Sequence, residues 1–311
     1  MTTELNRRRF LKQSSIVALG GVFPGTGSAI SGASSLMVSE TASASTLKKG
    51  ACIGVLPPEL SVLERFKLAK ELGFEGIEPN TLETPAEVEE YRRASEESGV
   101  KIHSIMNSGH WKYPLTDDDQ AVVEECIKGI KTSIRNAYDL GADAVLLVPG
   151  IVTSSVRYVD VYQRSQKEIR KLLPLAEECG VVIAVENVGN RFLLSPLEFA
   201  RYVDDFESPY VRAYFDVGNF TSIGFPPDWI RTLGKRLFKV HIKKFEPGAN
   251  VRAFDPADRR TQGIDWPDVR RALSEVGFSG WVTAEVRSGD MDYLEELSAR
   301  IDRIFSGRNP S

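Results

Sequence analysis

Four short β-type runs, each ending abruptly in a metal-ligand side chain, constrain this chain more than any other feature. Val181-Val182-Ile183-Ala184-Val185 stops at Glu186-Asn187, and Val211-Arg212-Ala213-Tyr214-Phe215 stops at Asp216. Leu237-Phe238-Lys239-Val240 stops at His241, and Gly280-Trp281-Val282-Thr283-Ala284 stops at Glu285. Amphipathic helical sequence separates one run from the next. Strands that alternate with helices build a parallel sheet, whose carboxyl ends share one face and meet the ligand there. Glu186, Asp216, His241 and Glu285 are therefore expected to converge. A lone strand-terminal carboxylate is ordinarily a helix cap or a solvated loop residue; four in consecutive units point to one site. Two Glu, one Asp and one His form a mostly oxygen donor set for one divalent ion, Mn²⁺ or Mg²⁺ first, with Zn²⁺ or Co²⁺ also fitting.

The same alternation runs from Cys52 to Phe305. Cys52 to Leu56 reads as the first strand, Phe74 to Glu78 as the second, Val100 to Met106 as the third and Ala144 to Val148 as the fourth. A helix over Pro85 to Ser98 starts at Thr84 with Glu87 three residues on, the capping-box spacing. A long helix follows over Asp119 to Leu140, and one continuous helix is expected over Val159 to Cys179. Gly73, Gly99, Gly141, Gly180 and Gly277 each stand just past a helix, where a left-handed cap favours glycine. Eight such units predict an α/β fold, a (β/α)₈ TIM barrel over residues 50–311, close to the length of about 250 residues usual for that class. An open doubly wound sheet is the alternative, and no Gly-x-Gly-x-x-Gly follows the first strand.

Residues 1–44 are set apart from the barrel. Asn6-Arg7-Arg8-Arg9-Phe10-Leu11-Lys12 precedes a modest apolar stretch, Ile16 to Phe23, then small residues. A basic region before a weakly apolar one is an export signal, and this one resembles the twin-arginine type. Ala42-Ser43-Ala44 offers a cleavage site, and the Ser/Ala-rich segment before Thr46 reads as a flexible spacer. The chain is thus expected to be exported by the twin-arginine machinery to the periplasm or cell envelope.

Composition narrows the chemistry. A net charge of −4 across 311 residues provides no basic stripe for nucleic acid. Only His103, His110 and His241 are present, too few for a multi-zinc nuclease site. Cys52, Cys126 and Cys179 share no short spacing and read as core residues, as does His103 inside the third strand.

A cation on the barrel rim would polarise a carbonyl and acidify the neighbouring C–H, and an enediolate would follow deprotonation. Glu186 and Glu285, three strands apart in the ring, can reach a bound sugar from opposite sides. Two working Glu invert the carbon; one alone returns the proton to the adjacent carbon, an aldose–ketose isomerisation.

Ala184-Val185-Glu186-Asn187, Phe215-Asp216-Val217-Gly218-Asn219, Lys239-Val240-His241-Ile242-Lys243 and Thr283-Ala284-Glu285 resemble the four metal-site motifs of the sugar phosphate isomerase/epimerase superfamily, with its xylose isomerase-like barrel. Together with His110-Trp111-Lys112-Tyr113-Pro114-Leu115 they are most similar to the L-ribulose-5-phosphate and hexulose-phosphate 3-epimerase branch and to D-tagatose 3-epimerases. The resemblance implies a divalent metal, usually Mn²⁺, on Glu186, Asp216, His241 and Glu285, with the two Glu as the acid/base pair. It places His110 and Glu78 at substrate-contacting positions; Asn187, Asn219, Lys243 and Arg287 join them as candidate substrate-facing residues, with Asn187 also supporting a ligand. Asn219 and Lys244 depart from the usual pattern, where His and Asp are common. The expected partner is a small sugar or keto-sugar, in a monomer or homo-oligomer. Export favours a free ketose, a keto-glycoside fragment or an inosose-like ring ketone over a sugar phosphate. The alternatives are a non-catalytic envelope carbohydrate-binding protein on the same barrel and a metal-dependent lyase or dehydratase of inosose-like keto-sugars.

Overall fold

In the computed structural model, residues 46–221, 223–243, 245 and 263–310 are described. The expected export signal and spacer, Lys244 and most of the loop after Lys243 lie outside the described residues. Nine parallel strand segments follow in order: β1 Leu47–Cys52, β2 Gly76–Glu78, β3 Lys101–Ile102, β4 Ile105–Met106, β5 Ala144–Leu147, β6 Val182–Glu186, β7 Val211–Asp216, β8 Leu237–Ile242 and β9 Gly280–Ala284. Between them run α1 Val62–Glu71, α2 Pro85–Ser98, α3 Gln120–Leu140, α4 Tyr158–Arg170, α5 Leu173–Cys179, α6 Pro196–Asp204, α7 Pro226–Leu233 and α8 Trp266–Glu275, and α9 Met291–Phe305 closes the series.

The strands hydrogen bond in the order β3-β2-β1-β9-β8-β7-β6-β5-β4. Its two ends, β3 and β4, are halves of one strand interrupted at His103-Ser104. Bridging of Asn80 to Met106 links the end of β2 to β4, so the ring is nearly closed. The fold is the expected TIM barrel with its third strand in two pieces.

Local sequence explains most boundaries. Thr84 accepts from the Glu87 amide at 3.2 Å while the Glu87 carboxylate accepts from the Thr84 amide at 2.8 Å, the reciprocal capping box. Gly73, Gly99, Gly141, Gly180 and Gly277 all take φ between 64° and 79°.

Two boundaries differ from expectation. The first strand is Leu47–Cys52, with Ile53–Val55 a 3₁₀ turn, so the barrel begins before residue 50. Lys48 and Lys49 concealed it: Lys49 is 4% exposed and its ammonium reaches Ser298 Oγ at 2.6 Å and Asp302 Oδ1 at 2.8 Å. The expected helix over Val159 to Cys179 divides into α4 and α5 at Pro174, which lacks an N–H and clashes with the carbonyl one turn back.

Side chains alternate across the strands. Val145, Leu147, Ile183, Val185, Phe215, Val240 and Ile242 join the large core shared with the helices. On the opposite face Ala144, Leu146, Val182, Ala184 and Tyr214 form a small separate cluster, the apolar part of the barrel lumen. The remaining lumen is polar: His103, Lys239, Thr283, Glu78 and His241 are all buried. His103 stacks on Trp281 at 4.5 Å between ring centroids and lies 3.1 Å from Thr283 Oγ1, a core imidazole as expected. Gly50 and Gly76 make that stack fit. A Cβ at Gly76 would stand 2.4 Å from Trp281 Cζ3, and one at Gly50 2.9 Å from His103 Nε2. Near the strand starts a cavity of about 380 Å³ is lined by Lys101, His103, Asp143 and Trp281, away from the strand ends that carry the ligands.

Candidate metal centre

Strand register brings the four expected donors together. Asp216 pairs with His241 across β7 and β8, after a register shift between Ala213 and Tyr214. The Glu285 amide donates to Ile242 O at 3.0 Å, setting Glu285 just past β9 beside His241. Glu186 ends β6 on the other flank of Asp216. One donor atom from each of Glu186, Asp216, His241 and Glu285 lies within 4.8 Å of every other. Three of these residues are fully or almost fully buried, and the Glu285 side chain is 32% exposed.

The imidazole identifies what the cluster can hold. His241 Nε2 lies 2.7 Å from Glu78 Oε2, which places the ring proton there. His241 Nδ1 is buried without a hydrogen-bond partner and faces Glu285 Oε2 at 3.5 Å, Glu186 Oε1 at 3.6 Å and Asp216 Oδ2 at 4.0 Å. These separations exceed a hydrogen bond. They suit donors around a common ion bonded at about 2.0–2.2 Å, whose neighbouring ligands stand roughly 3–4 Å apart. The residues therefore fit a divalent cation.

Glu78 differs from expectation. It does not face a substrate but stands behind His241, where Oε2 also accepts from Tyr214 OH at 3.0 Å and Oε1 from Ser104 Oγ at 2.5 Å. Burial opposes its charge, yet His241 and the Ser104 hydroxyl bring its carboxyl down to about 2. A carboxylate that holds the far nitrogen of a ligating histidine fixes both ring orientation and tautomer. Cys52 Sγ, 3.6 Å from Glu78 and 3.7 Å from His241 Nε2, makes a second donor triplet with them. The 2.7 Å between Glu78 and His241 is a hydrogen bond, too short for two ligands of one ion, and burial pushes the Cys52 thiol up to about 12. The thiol thus stays protonated and packs against the Glu78–His241 pair.

The other expected residues divide by contact. Asn187 is buried and braces Asp216, accepting from its amide at 2.7 Å and donating to its carbonyl at 3.0 Å, so its amide faces a ligand residue rather than a substrate. Asn219 donates to Asn187 O at 2.8 Å and approaches Glu186 Oε1 at 3.5 Å. Gly218 donates its amide to Asp216 Oδ1 at 2.7 Å, leaving Oδ2 for the cluster. Lys243 joins the donors directly, 2.6 Å from Glu285 Oε2 and 3.0 Å from Asp216 Oδ2. His110 is buried, with Nδ1 unpartnered and Trp111 edge-on at 5.4 Å. Burial lowers its pKa to about 4, with the charge of Glu285 opposing, so the imidazole is neutral at pH 7. Arg287 is exposed beyond Glu285. Tyr214 and Ser104 went unnoticed in the sequence; the period-two step from Asp216 back to Tyr214 was the available signal.

Crowded carboxylates resist ionising together. Asp216 is pushed up to about 7, chiefly by burial, with Lys243 opposing and Glu186 adding. Burial likewise raises Glu186, while His241 and Lys243 overcome burial to hold Glu285 well below the carboxylate range. A raised pKa means that Asp216 keeps its proton below about 7, so proton and ion compete there. Burial opposes a charge on His241, yet its neighbours, Glu78 among them, hold the imidazole well above its usual range, so the ion displaces a proton there too. Affinity for Mn²⁺ is expected to climb with pH through about 7, by up to about tenfold per unit for each proton displaced. Calorimetric titration across that range checks it, and a flat profile contradicts it.

Residues 66–303 match the Xylose isomerase-like TIM barrel family, and this chain belongs to it. An L-ribulose-5-phosphate 3-epimerase of Escherichia coli O1:K1 / APEC is 25% identical over 236 residues, covering 72% of this chain and 82% of that protein. Among solved structures, a D-tagatose 3-epimerase-like protein superposes with a TM-score of 0.69 at 17% identity, covering 83% of this chain and 97% of the other. A 3-keto-D-glucoside 4-epimerase from E. coli gives a TM-score of 0.68 at 18% identity, with 84% and 100% covered.

Proposed function

We propose that this barrel is a divalent-metal-dependent epimerase or isomerase of a sugar or keto-sugar. The observation that carries the reading is the unpartnered Nδ1 of His241, aimed at three carboxylates while Glu78 holds the opposite nitrogen. The sugar epimerases among its relatives support the substrate class. When bound by Glu186, Asp216, His241 and Glu285, the ion supplies Lewis-acid polarisation of a carbonyl, which acidifies the adjacent C–H.

The chain's own groups then move the proton. Glu186 and Glu285 flank the cluster from β6 and β9, three strands apart in the ring. One carboxylate removes the proton from one face of the carbon and the other returns a proton to the opposite face, inverting it. His110, neutral and buried beside the cluster, orients a substrate hydroxyl. Arg7 and Arg8 belong to an export signal that carries the enzyme to the periplasm or envelope, where a free ketose or keto-glycoside is the fitting substrate; cell fractionation checks the location.

Incubation of the Mn²⁺-loaded protein with a panel of free ketoses in D₂O tests the activity. Deuterium is expected at the carbon next to the carbonyl, together with the epimeric product. Metal-loaded protein that exchanges no ketose proton would leave a sugar-binding barrel instead of an enzyme.

A further inference from the structure

Lys243 lies one residue past β8 and two past His241. Its ammonium touches Glu285 Oε2 at 2.6 Å and Asp216 Oδ2 at 3.0 Å. These are the same two oxygens that face His241 Nδ1, so half of the candidate donor set already has a cation in contact. The side chain is only 20% exposed. A lysine in contact with two carboxylates is a charge-assisted donor to both.

Charge counting shows why a lysine belongs there. Three carboxylates and a neutral imidazole carry one negative charge more than a divalent ion cancels, and that excess would oppose further negative charge on a deprotonating substrate. We propose that Lys243 is a tethered counter-ion of the metal centre, paired with two of its candidate ligands, Asp216 and Glu285. It loosens the ion's hold while neutralising the charge the ion leaves uncancelled. An ordinary structural ion pair makes the opposite prediction: its loss would disturb the donors and weaken metal binding.

This inference rests on the metal-site reading above, and one experiment separates the two. Protein stripped by a chelator is titrated with Mn²⁺, wild type beside Lys243→Met and Lys243→Gln. Both variants are expected to bind Mn²⁺ about tenfold more tightly or better, because a like charge has left the site. Lys243→Arg, which keeps the charge, is expected to bind no more tightly than wild type. Wild type that binds Mn²⁺ while the uncharged variants bind equally or more weakly overturns the counter-ion role alone. Wild type that binds no Mn²⁺ overturns the metal centre and this inference together. Should Lys243→Met fail to fold, Lys243→Gln carries the same comparison, since it keeps a polar group of similar reach.

Discussion

Replacement of Glu186 by Gln is expected to lower the rate of solvent deuterium exchange into a ketose by about 10²–10⁴-fold, the usual contribution of a positioned general base or acid. Gln retains the volume and one oxygen of Glu186, which is 5% exposed at the end of β6 and is approached by Asn219 at 3.5 Å and by His241 Nδ1 at 3.6 Å. The substitution therefore removes proton transfer with little disturbance of packing. Glu186 is the more enclosed of the pair, 5% exposed against 32% for the Glu285 side chain, and Lys243 lies 2.6 Å from Glu285. Exchange measured with Mn²⁺ held saturating separates loss of the base from loss of a ligand. Wild-type exchange in Glu186→Gln would remove Glu186 from the acid/base pair.

The second large effect is expected behind the cluster. Glu78→Gln should weaken Mn²⁺ binding by about 10–100-fold, the range seen when the partner of a ligating histidine is lost. Glu78 accepts hydrogen bonds from His241, Tyr214 and Ser104 and a longer one from the Cys52 thiol, and a Gln side chain must present an amide N–H₂ to one or more of these donors. His241 then loses the acceptor that keeps its proton on Nε2, and Nδ1 is no longer reserved for the ion. Glu78→Ala leaves two polar groups and an imidazole without a buried acceptor, so it should also destabilise the protein, by about 3–5 kcal/mol as for other broken buried pairs. Mn²⁺ titration of Glu78→Gln with wild-type affinity would show that ring orientation is set elsewhere.

The barrel and its donor set were legible because both are written in local pattern. Apolar runs ending at Glu186, Asp216, His241 and Glu285 reported strand ends directly, and parallel packing brought those ends together. The first strand was hidden because Lys49 contributes its stem to the core and its charge to Asp302, a pairing between residues distant along the chain. The sequence marks Glu78 as a strand-end carboxylate without showing that His241 is its neighbour. Position on a strand end does not reveal which side of His241 a carboxylate occupies; that follows from β2 lying two places from β9 across the ring. The counter-ion contacts of Lys243 were illegible for the same reason, since they depend on how far a flexible side chain folds back.

The interruption at His103-Ser104 gives the ring a seam. β3 holds to β2 and β4 holds to β5, and the segment after β2 fastens the two pieces, with the Met106 amide donating to Pro79 O at 2.9 Å and the Thr81 amide to Met106 O at 3.1 Å. The strands bearing Glu186, Asp216, His241 and Glu285 form an unbroken run on the opposite arc. The seam is nevertheless wired to the ligands, because Ser104 within it donates to Glu78, which holds His241. The loop bearing His110 also hangs from β4, so the one break in the barrel wall is where the supports of the site from two sides meet.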